Sequence, residues 1–344
     1  MKKRIVLIFG GKSAEHEVSI ASAASIFKNI DKEKYIIGTI GVNKEGFFIE
    51  NTDPTALKPL QESVEETSIK LDNKPYIFLR DNWLDLINDA DIIFPLIHGP
   101  SGEDGSLQGM LETLNKKYVG SKVTSSAICM DKSLAKIILK SAGLPVVPYK
   151  ILNKKEYDFN QKLDLPNQLL NFPLFIKPAN LGSSIGITKV KFETELSEAL
   201  ELAFSYDNKV LIEKAMQGRE LEISVLGNDE LKVSLPGEIV TLTEYYDYDT
   251  KYVTDNAELI VPAKVSDNII EEIKDYAKRA YRVLGCKGLA RIDFFLENNK
   301  LYINEVNTIP GFTKISMYPR LFIHEGITYT KLITTLIELA ENEE

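Results

Sequence analysis

The chain has 344 residues and a net charge of −9, with 44% hydrophobic and 26% charged residues, an ordinary soluble composition with room for about two or three cored domains. The acidic balance excludes a dedicated nucleic-acid binder, which carries a basic patch or stripe, and no apolar run approaches the roughly 18–20 residues of a membrane span. The apolar run Ile5–Phe9 behind Lys2-Lys3-Arg4 stops at Gly10-Gly11, short of the about 7–15 residues of a signal-peptide core, so the expected location is the cytoplasm.

Arg4–Phe9 reads as a β-branched strand, followed by Gly10-Gly11-Lys12-Ser13 and a helical pattern through Val18, Ile20, Ala23 and Ile26. Tyr35–Val42 and Ile92–Ile97 read as further strands and Leu107–Leu114 as a helix. This βαβ rhythm predicts a parallel, doubly wound α/β domain over residues 1–120, with its site at the carboxyl ends of the strands, where Gly10 and His98 fall. A second unit spans 121–212. It has helical segments from Ser126 to Ala142, a strand at Pro173–Pro178 running into a glycine-rich turn, a strand at Gly186–Val190 and a helix at Glu193–Ala203. A third unit, of α+β character, covers 213–344. It has strands at Glu222–Leu226 and Leu231–Leu235, a polar loop over 241–258 rich in tyrosine, a helix at Asp267–Leu284, a hairpin from Gly288 to Asn307, and closing helices. Cys129 and Cys286 are 157 positions apart and read as reduced, buried, small apolar residues.

The hairpin carries the strongest chemical signal. Residues two apart in a strand share a face, so Arg291 goes with Asp293 and Glu305 with Asn307. If an odd-numbered loop at Glu297–Lys300 places Asp293 opposite Glu305, all four converge on one face. Two carboxylates and an amide oxygen are hard ligands suited to Mg²⁺ bound with phosphates, and Arg291 beside them suits phosphoryl transfer. An acidic hairpin is more often only a solvated face; the arginine shifts the balance. Lys177-Pro178-Ala179-Asn180-Leu181-Gly182-Ser183-Ser184-Ile185-Gly186 is a strand end and glycine-rich turn whose N–H groups can cradle phosphate, though it lacks the Walker A spacing. Gly10–Ser19 lacks the second and third glycines of the dinucleotide fingerprint, and its Ser13 is equally well placed to cap a helix. His98–Gly105 follows a buried strand. His16 and His324 have no supporting context.

Taken together, Glu15 within Gly10–Ser19, His98–Gly105, Lys177–Gly186, Tyr248–Tyr252, Ala290–Asp293 and Asn304–Gly311 resemble, in order and over essentially the whole chain, the D-alanine–D-alanine ligase family of the ATP-grasp superfamily. The resemblance implies three domains with ATP held between the central and C-terminal ones. The implied activity is ATP-driven joining of two D-alanines through an acyl phosphate, for peptidoglycan. Lys132, Lys177 and Lys251 match phosphate-contacting lysines. Glu213, Lys214 and Met216 match the adenine hinge, Glu220 the ribose contact, and Phe295 another nucleotide-contacting position. Asp293, Glu305 and Asn307 match ligands of two Mg²⁺ or Mn²⁺ ions. Glu15, Val18 and His98 match groups around the first D-alanine, and Ser316 and Met317 the pocket of the second. Arg291 and the Gly311 amide match donors to the tetrahedral intermediate. Ser183, Tyr252 and Glu15 match a hydrogen-bonded triad joining the 241–258 lid to the N-terminal domain. A homodimer is implied, with no nucleic-acid or membrane partner. The alternative is a D-Ala–D-Ser or D-Ala–D-lactate ligase of the same superfamily; Lys251-Tyr252 and Met317 favour D-alanine as acceptor.

Overall fold

Why the first domain is wound on both faces can be read from one strand. In β1 (Lys3–Gly10) successive side chains point to opposite faces. Ile5, Leu7 and Phe9 enter one buried cluster, and Val6 and Ile8 enter another. Both faces therefore need helices. The structure, a computed structural model, describes residues 2–50, 53, 55, 83–157, 171–182, 185–241 and 257–343. Helix α1 (His16–Asn29) covers the first face; α2 (Trp83–Asp89) and α3 (Ser106–Thr113) cover the second. The sheet also contains β2 (Tyr35–Val42), β3 (Phe48–Glu50), β4 (Ile92–Pro95) and β5 (Lys117–Tyr118), in the order β3-β2-β1-β4-β5. All neighbours are parallel except β3 on β2. Gly10 and His98 fall at the carboxyl ends of the adjacent strands β1 and β4.

Helices α4 (Val123–Met130) and α5 (Lys132–Ser141) lead to an antiparallel sheet of β6 (Tyr149–Asn153), β7 (Leu174–Pro178), β8 (Thr188–Val190) and β9 (Lys209–Lys214), with α6 (Leu196–Tyr206) on its back. Its order is β6-β9-β7-β8. A larger antiparallel sheet follows: β10 (Arg219–Leu226), β11 (Lys232–Val233), β12 (Gly237–Thr241), β13 (Ala257–Ile260), β14 (Leu289–Glu297) and β15 (Lys300–Asn307), ordered β13-β12-β10-β14-β15 with β11 on β10. Helix α7 (Asp267–Val283) buries Ile273, Ala277 and Tyr281 against Ile223, Ile292 and Phe294. The last two helices, α8 (Met317–His324) and α9 (Tyr329–Glu341), turn back onto the first sheet, where Phe322, Leu332 and Leu336 share a core with Leu7 and Phe94.

The β14–β15 hairpin reaches the Asp293–Glu305 pairing by another route than an odd-numbered loop. Asn298 and Asn299 both have positive φ, the signature of a two-residue primed turn, so the loop is even-numbered. The register nevertheless pairs Asp293 with Glu305, because a bulge between Asp293 and Phe294 leaves Asn304 as an extra residue on β15. The convergence of Asp293 and Glu305 thus comes from the bulge and not from the turn. Of the lid expected over 241–258, residues 242–256 lie outside the described residues, and so do Ser183, Lys251 and Tyr252.

Candidate active site

Two cavities meet beside this hairpin. The larger, about 420 Å³, lies between the two antiparallel sheets. Lys132, Lys177, Glu213, Lys214, Met216, Glu220, Asp293, Phe295 and Glu305 line it. The smaller, about 60 Å³, opens toward the first domain and is lined by Glu15, Val18, His98, Glu103, Arg291, Asn307 and Gly311, among others. Lys132, Gly182 and Glu305 line both and form the wall between them.

The cations of the larger cleft are placed by secondary structure. On the β7–β9 ladder Phe175 faces Glu213 and Lys177 faces Leu211, so Lys177 and Glu213 are diagonal neighbours on one face. Lys177 Nζ lies 2.7 Å from Glu213 Oε2, and Lys136 Nζ lies 2.9 Å from Glu213 Oε1. Burial pushes the Glu213 carboxyl up, but the two lysines outweigh it and bring it down to about 2. Lys132 opens α5, which is capped by Asp131 accepting from the Ser133 and Leu134 amides. Its Nζ donates to the Leu181 carbonyl at 2.6 Å and sits 3.5 Å from Glu305 Oε2. Lys214 lies at the rim, paired with Glu297 at 2.8 Å.

In β14 every second side chain from Ile292 is buried, which turns Asp293 to the larger cavity and Arg291 to the smaller. Arg291 forks onto Asp293 with contacts of 2.7 and 2.8 Å, and its Nε lies 3.1 Å from Glu222, the cross-strand neighbour of Asp293. Burial works against the guanidinium charge, but Asp293 and Glu222 hold it well above its ordinary range. Asn307 Nδ2 donates to Asp293 Oδ2 at 3.0 Å. Asp293, Glu305 and Asn307 form an all-oxygen donor set on one face of one hairpin, and this fits a hard divalent cation that completes its shell with phosphate oxygens and water.

The smaller cavity is built from loops. Gly10, at φ +94°, lets the chain turn off β1. Ser19 Oγ accepts from the Gly10 amide and donates to the Leu96 carbonyl, tying this turn to β4. Ser13 does not cap α1: its hydroxyl accepts from the Glu15 amide, and the helix starts at His16. His16 is buried, with Nδ1 on the Gly11 carbonyl. His98 Nδ1 donates to the Ile309 carbonyl at 2.8 Å, and Ser22 sits at its Nε2. Burial lowers the His98 pKa against the opposing pull of Glu15, which keeps the ring neutral. Glu103 accepts from the Gly99 and Ile309 amides at 2.7 and 2.9 Å, bracketing the two loops. Burial, reinforced by Glu15, pushes its carboxyl up to about 8.

Ser316 and Met317 line neither cavity. Ser316 bonds within its own turn to Thr313, and Met317 packs with Ile239 and Leu321. Sequence reasoning assigned no role to Lys136, Glu222 or Glu103. The available signal for Lys136 was its place on the apolar stripe of α5 with Ala135 and Leu139. Cys129 and Cys286 are both free and buried, and their sulfurs lie 3.8 Å apart.

The comparisons with known proteins decide the family. The profile described as D-ala D-ala ligase N-terminus matches residues 4–121, and that described as D-ala D-ala ligase C-terminus matches residues 138–338. The chain belongs to the D-alanine–D-alanine ligase family. A D-alanine–D-alanine ligase of Caldicellulosiruptor bescii is 46% identical, over 98% of this chain and 95% of the relative. The structure of the family's enzyme from Bacillus anthracis, solved in complex with ATP, superposes with a TM-score of 0.76 at 28% identity, over 98% of this chain and 97% of that one. The VanG D-Ala:D-Ser ligase from Enterococcus faecalis gives 0.79 at 34% identity, over 99% of this chain and 100% of that one. The mixed α/β architecture of these ATP-grasp relatives is the fold described above.

Proposed function

We infer that this protein joins two D-alanines into D-alanyl-D-alanine at the expense of ATP, for peptidoglycan synthesis. The observation that carries the reading is the shared wall. Lys132, Gly182 and Glu305 face both a cleft large enough for a nucleotide and a small cavity of amino-acid scale, so a γ-phosphate on one side meets a carboxylate on the other.

Amide formation from a free carboxylate is uphill in water, so the carboxylate is first activated. One carboxylate oxygen of the first D-alanine attacks the γ-phosphorus, ADP leaves, and an acyl phosphate results. Lys132 and Lys177 attract the phosphates, and the Glu213–Met216 segment with Glu220 and Phe295 lines the nucleoside end. Asp293, Glu305 and Asn307 would hold Mg²⁺ or Mn²⁺, two ions in this reading, which neutralise charge on the transferred phosphoryl group. Glu15, Val18 and the neutral His98 surround the first D-alanine. The second D-alanine, having lost its ammonium proton, attacks the acyl carbon through nitrogen. Arg291 and the Gly311 amide receive the oxyanion, and inorganic phosphate leaves. The acyl phosphate hydrolyses if wet, and the 241–258 segment, with Lys251, Tyr252 and its triad partners Ser183 and Glu15, is proposed as the cover. Ser316 and Met317 are proposed for the acceptor pocket. The reading includes a cytoplasmic homodimer with no nucleic-acid or membrane partner; no helix among the described residues is long and apolar enough to cross a membrane.

The test is mass analysis of the products from ATP, Mg²⁺ and an equimolar mixture of D-alanine, D-serine and D-lactate. D-Ala–D-Ala with stoichiometric ADP and phosphate is the expected result. A dominant D-Ala–D-Ser or D-Ala–D-lactate product would move the protein to the alternative acceptor class, and turnover of L-alanine would overturn the reading.

A further inference from the structure

Lys136 touches neither cavity, yet it is 1% exposed in the middle of the molecule. It lies one helical turn after Lys132 on α5, on the face turned to the core. A methionine there would fill the space without the cost of burying a charge. The ammonium instead serves two acceptors that belong to different sheets. It is 2.9 Å from Glu213 Oε1 on β9, and it donates at 3.0 Å to the carbonyl of Asn304 on β15. Asn304 is the bulged residue that sets Glu305 opposite Asp293, and a bulged residue stands outside the ladder pairing. The other oxygen of Glu213 holds Lys177 at 2.7 Å.

We propose that Lys136 is a positioning residue for the ligase reaction: from behind the cleft it fixes Lys177 through Glu213, and Glu305 through the Asn304 carbonyl, so that the phosphate-facing and metal-facing groups keep one spacing. This rests on the function inferred above. Without Lys136, Glu213 is left with Lys177 alone and draws it back from the nucleotide. The bulge loses the donor that pins it, and Glu305 loses its fixed distance from Asp293.

The test is binding, read separately from turnover. A non-hydrolysable ATP analogue is titrated into wild type and Lys136→Met, with and without Mg²⁺, and Mn²⁺ binding to the analogue complex is followed by electron paramagnetic resonance. Outer-sphere partners of metal ligands typically contribute about 10–100-fold, and a loss of that size in Mn²⁺ affinity is expected, with the KM for ATP rising and that for D-alanine holding. A folded Lys136→Met protein with wild-type Mn²⁺ and analogue affinities overturns the proposal. Should that variant not fold, Lys136→Met/Glu213→Gln is compared with Glu213→Gln alone, since both then lack the Glu213 carboxylate and differ only at Lys136. Weaker Mn²⁺ binding in the double variant supports the pinning of the bulge, and equal binding overturns it. If wild type binds metal and analogue but forms no dipeptide, the ligase reading fails while the role of Lys136 is still decided by these titrations.

Discussion

Glu213 and Glu103 are the same residue type, both inside the protein, and their carboxyls move in opposite directions. Glu213 stands on a strand between two lysines and is driven down to about 2; Glu103 stands in a loop beside Glu15 and is driven up to about 8. Burial pushes both upward, so the neighbours decide the sign. The division follows the chemistry of the two cavities. The cleft proposed for the nucleotide would need its lysines charged for phosphate, and Glu213 is an anion fixed between Lys136 and Lys177. The cavity proposed for the amino acid would take in a substrate that carries its own carboxylate and ammonium, and it has a neutral His98 and a proton held on Glu103.

Removing the anion breaks the comparison most severely. Glu213→Ala leaves Lys136 and Lys177 buried without their partner, a change that costs about 3–5 kcal/mol in buried pairs. Urea unfolding at neutral pH should show it. A loss under about 1 kcal/mol would mean the lysines find other partners and that Glu213 does not organise the cleft.

The next effect is on rate. Arg291→Lys keeps the charge but loses the fork that spans Asp293 and reaches Glu222. Oxyanion donors are typically worth about 10²–10³ in kcat, and a fall of that order is expected with nucleotide affinity nearly unchanged. An unaltered kcat would remove Arg291 from the proposed second step.

The pH dependence separates the two glutamates directly. The Glu213 carboxyl is lowered, so its contribution is present above pH 4.5 and disappears as pH falls toward 2. The Glu103 carboxyl is raised, so the folded state keeps a proton that the unfolded chain releases. Its contribution is intact below pH 4.5 and is lost as pH rises through about 8. Glu103→Gln cannot titrate. The stability difference between wild type and this variant should therefore drift against wild type from pH 5 to 8.5, by a few kcal/mol at most. A flat difference would mean that Glu103 is ionised throughout.

Much of this was legible in the chain. Alternation in Arg291–Phe295 told which side chains share a face, and the βαβ rhythm placed Gly10 and His98 on one edge. Alternation does not announce a bulge, so the residue count came out right through Asn304 and not through the turn. Lys136 escaped because helical periodicity reads a lysine on an apolar stripe as an interruption. Glu222 escaped because its meaning comes from Arg291, which lies 69 positions away in sequence and is brought near by the pairing of β10 with β14. Composition marks Cys129 and Cys286 as buried thiols, but a spacing of 157 positions does not show that they are neighbours.

The smallest expected effect concerns the same kind of pair moved to the rim. Lys214 reaches Glu297 at 2.8 Å, as Lys177 reaches Glu213 at 2.7 Å, yet the Lys214 side chain is 37% exposed. Water screens such a pair, and holding two long side chains together costs entropy, so its worth is about 0–1 kcal/mol. Glu297 also accepts from the Gln217 amide at 2.6 Å and keeps that bond when the lysine is removed. Lys214→Ala should therefore leave the unfolding midpoint almost unmoved, and any loss should shrink further in added salt. Binding is a separate matter, because Lys214 lines the cleft proposed for the nucleotide. One lost hydrogen bond to the nucleotide is worth about 0.5–1.5 kcal/mol, at most roughly tenfold in affinity. A several-fold weaker ATP affinity at unchanged stability would mark Lys214 as a binding group with no scaffolding duty, the reverse of Lys136. Unchanged affinity would remove the Lys214 side chain from the proposed adenine hinge, and a large loss of stability would show that exposure does not discount this pair.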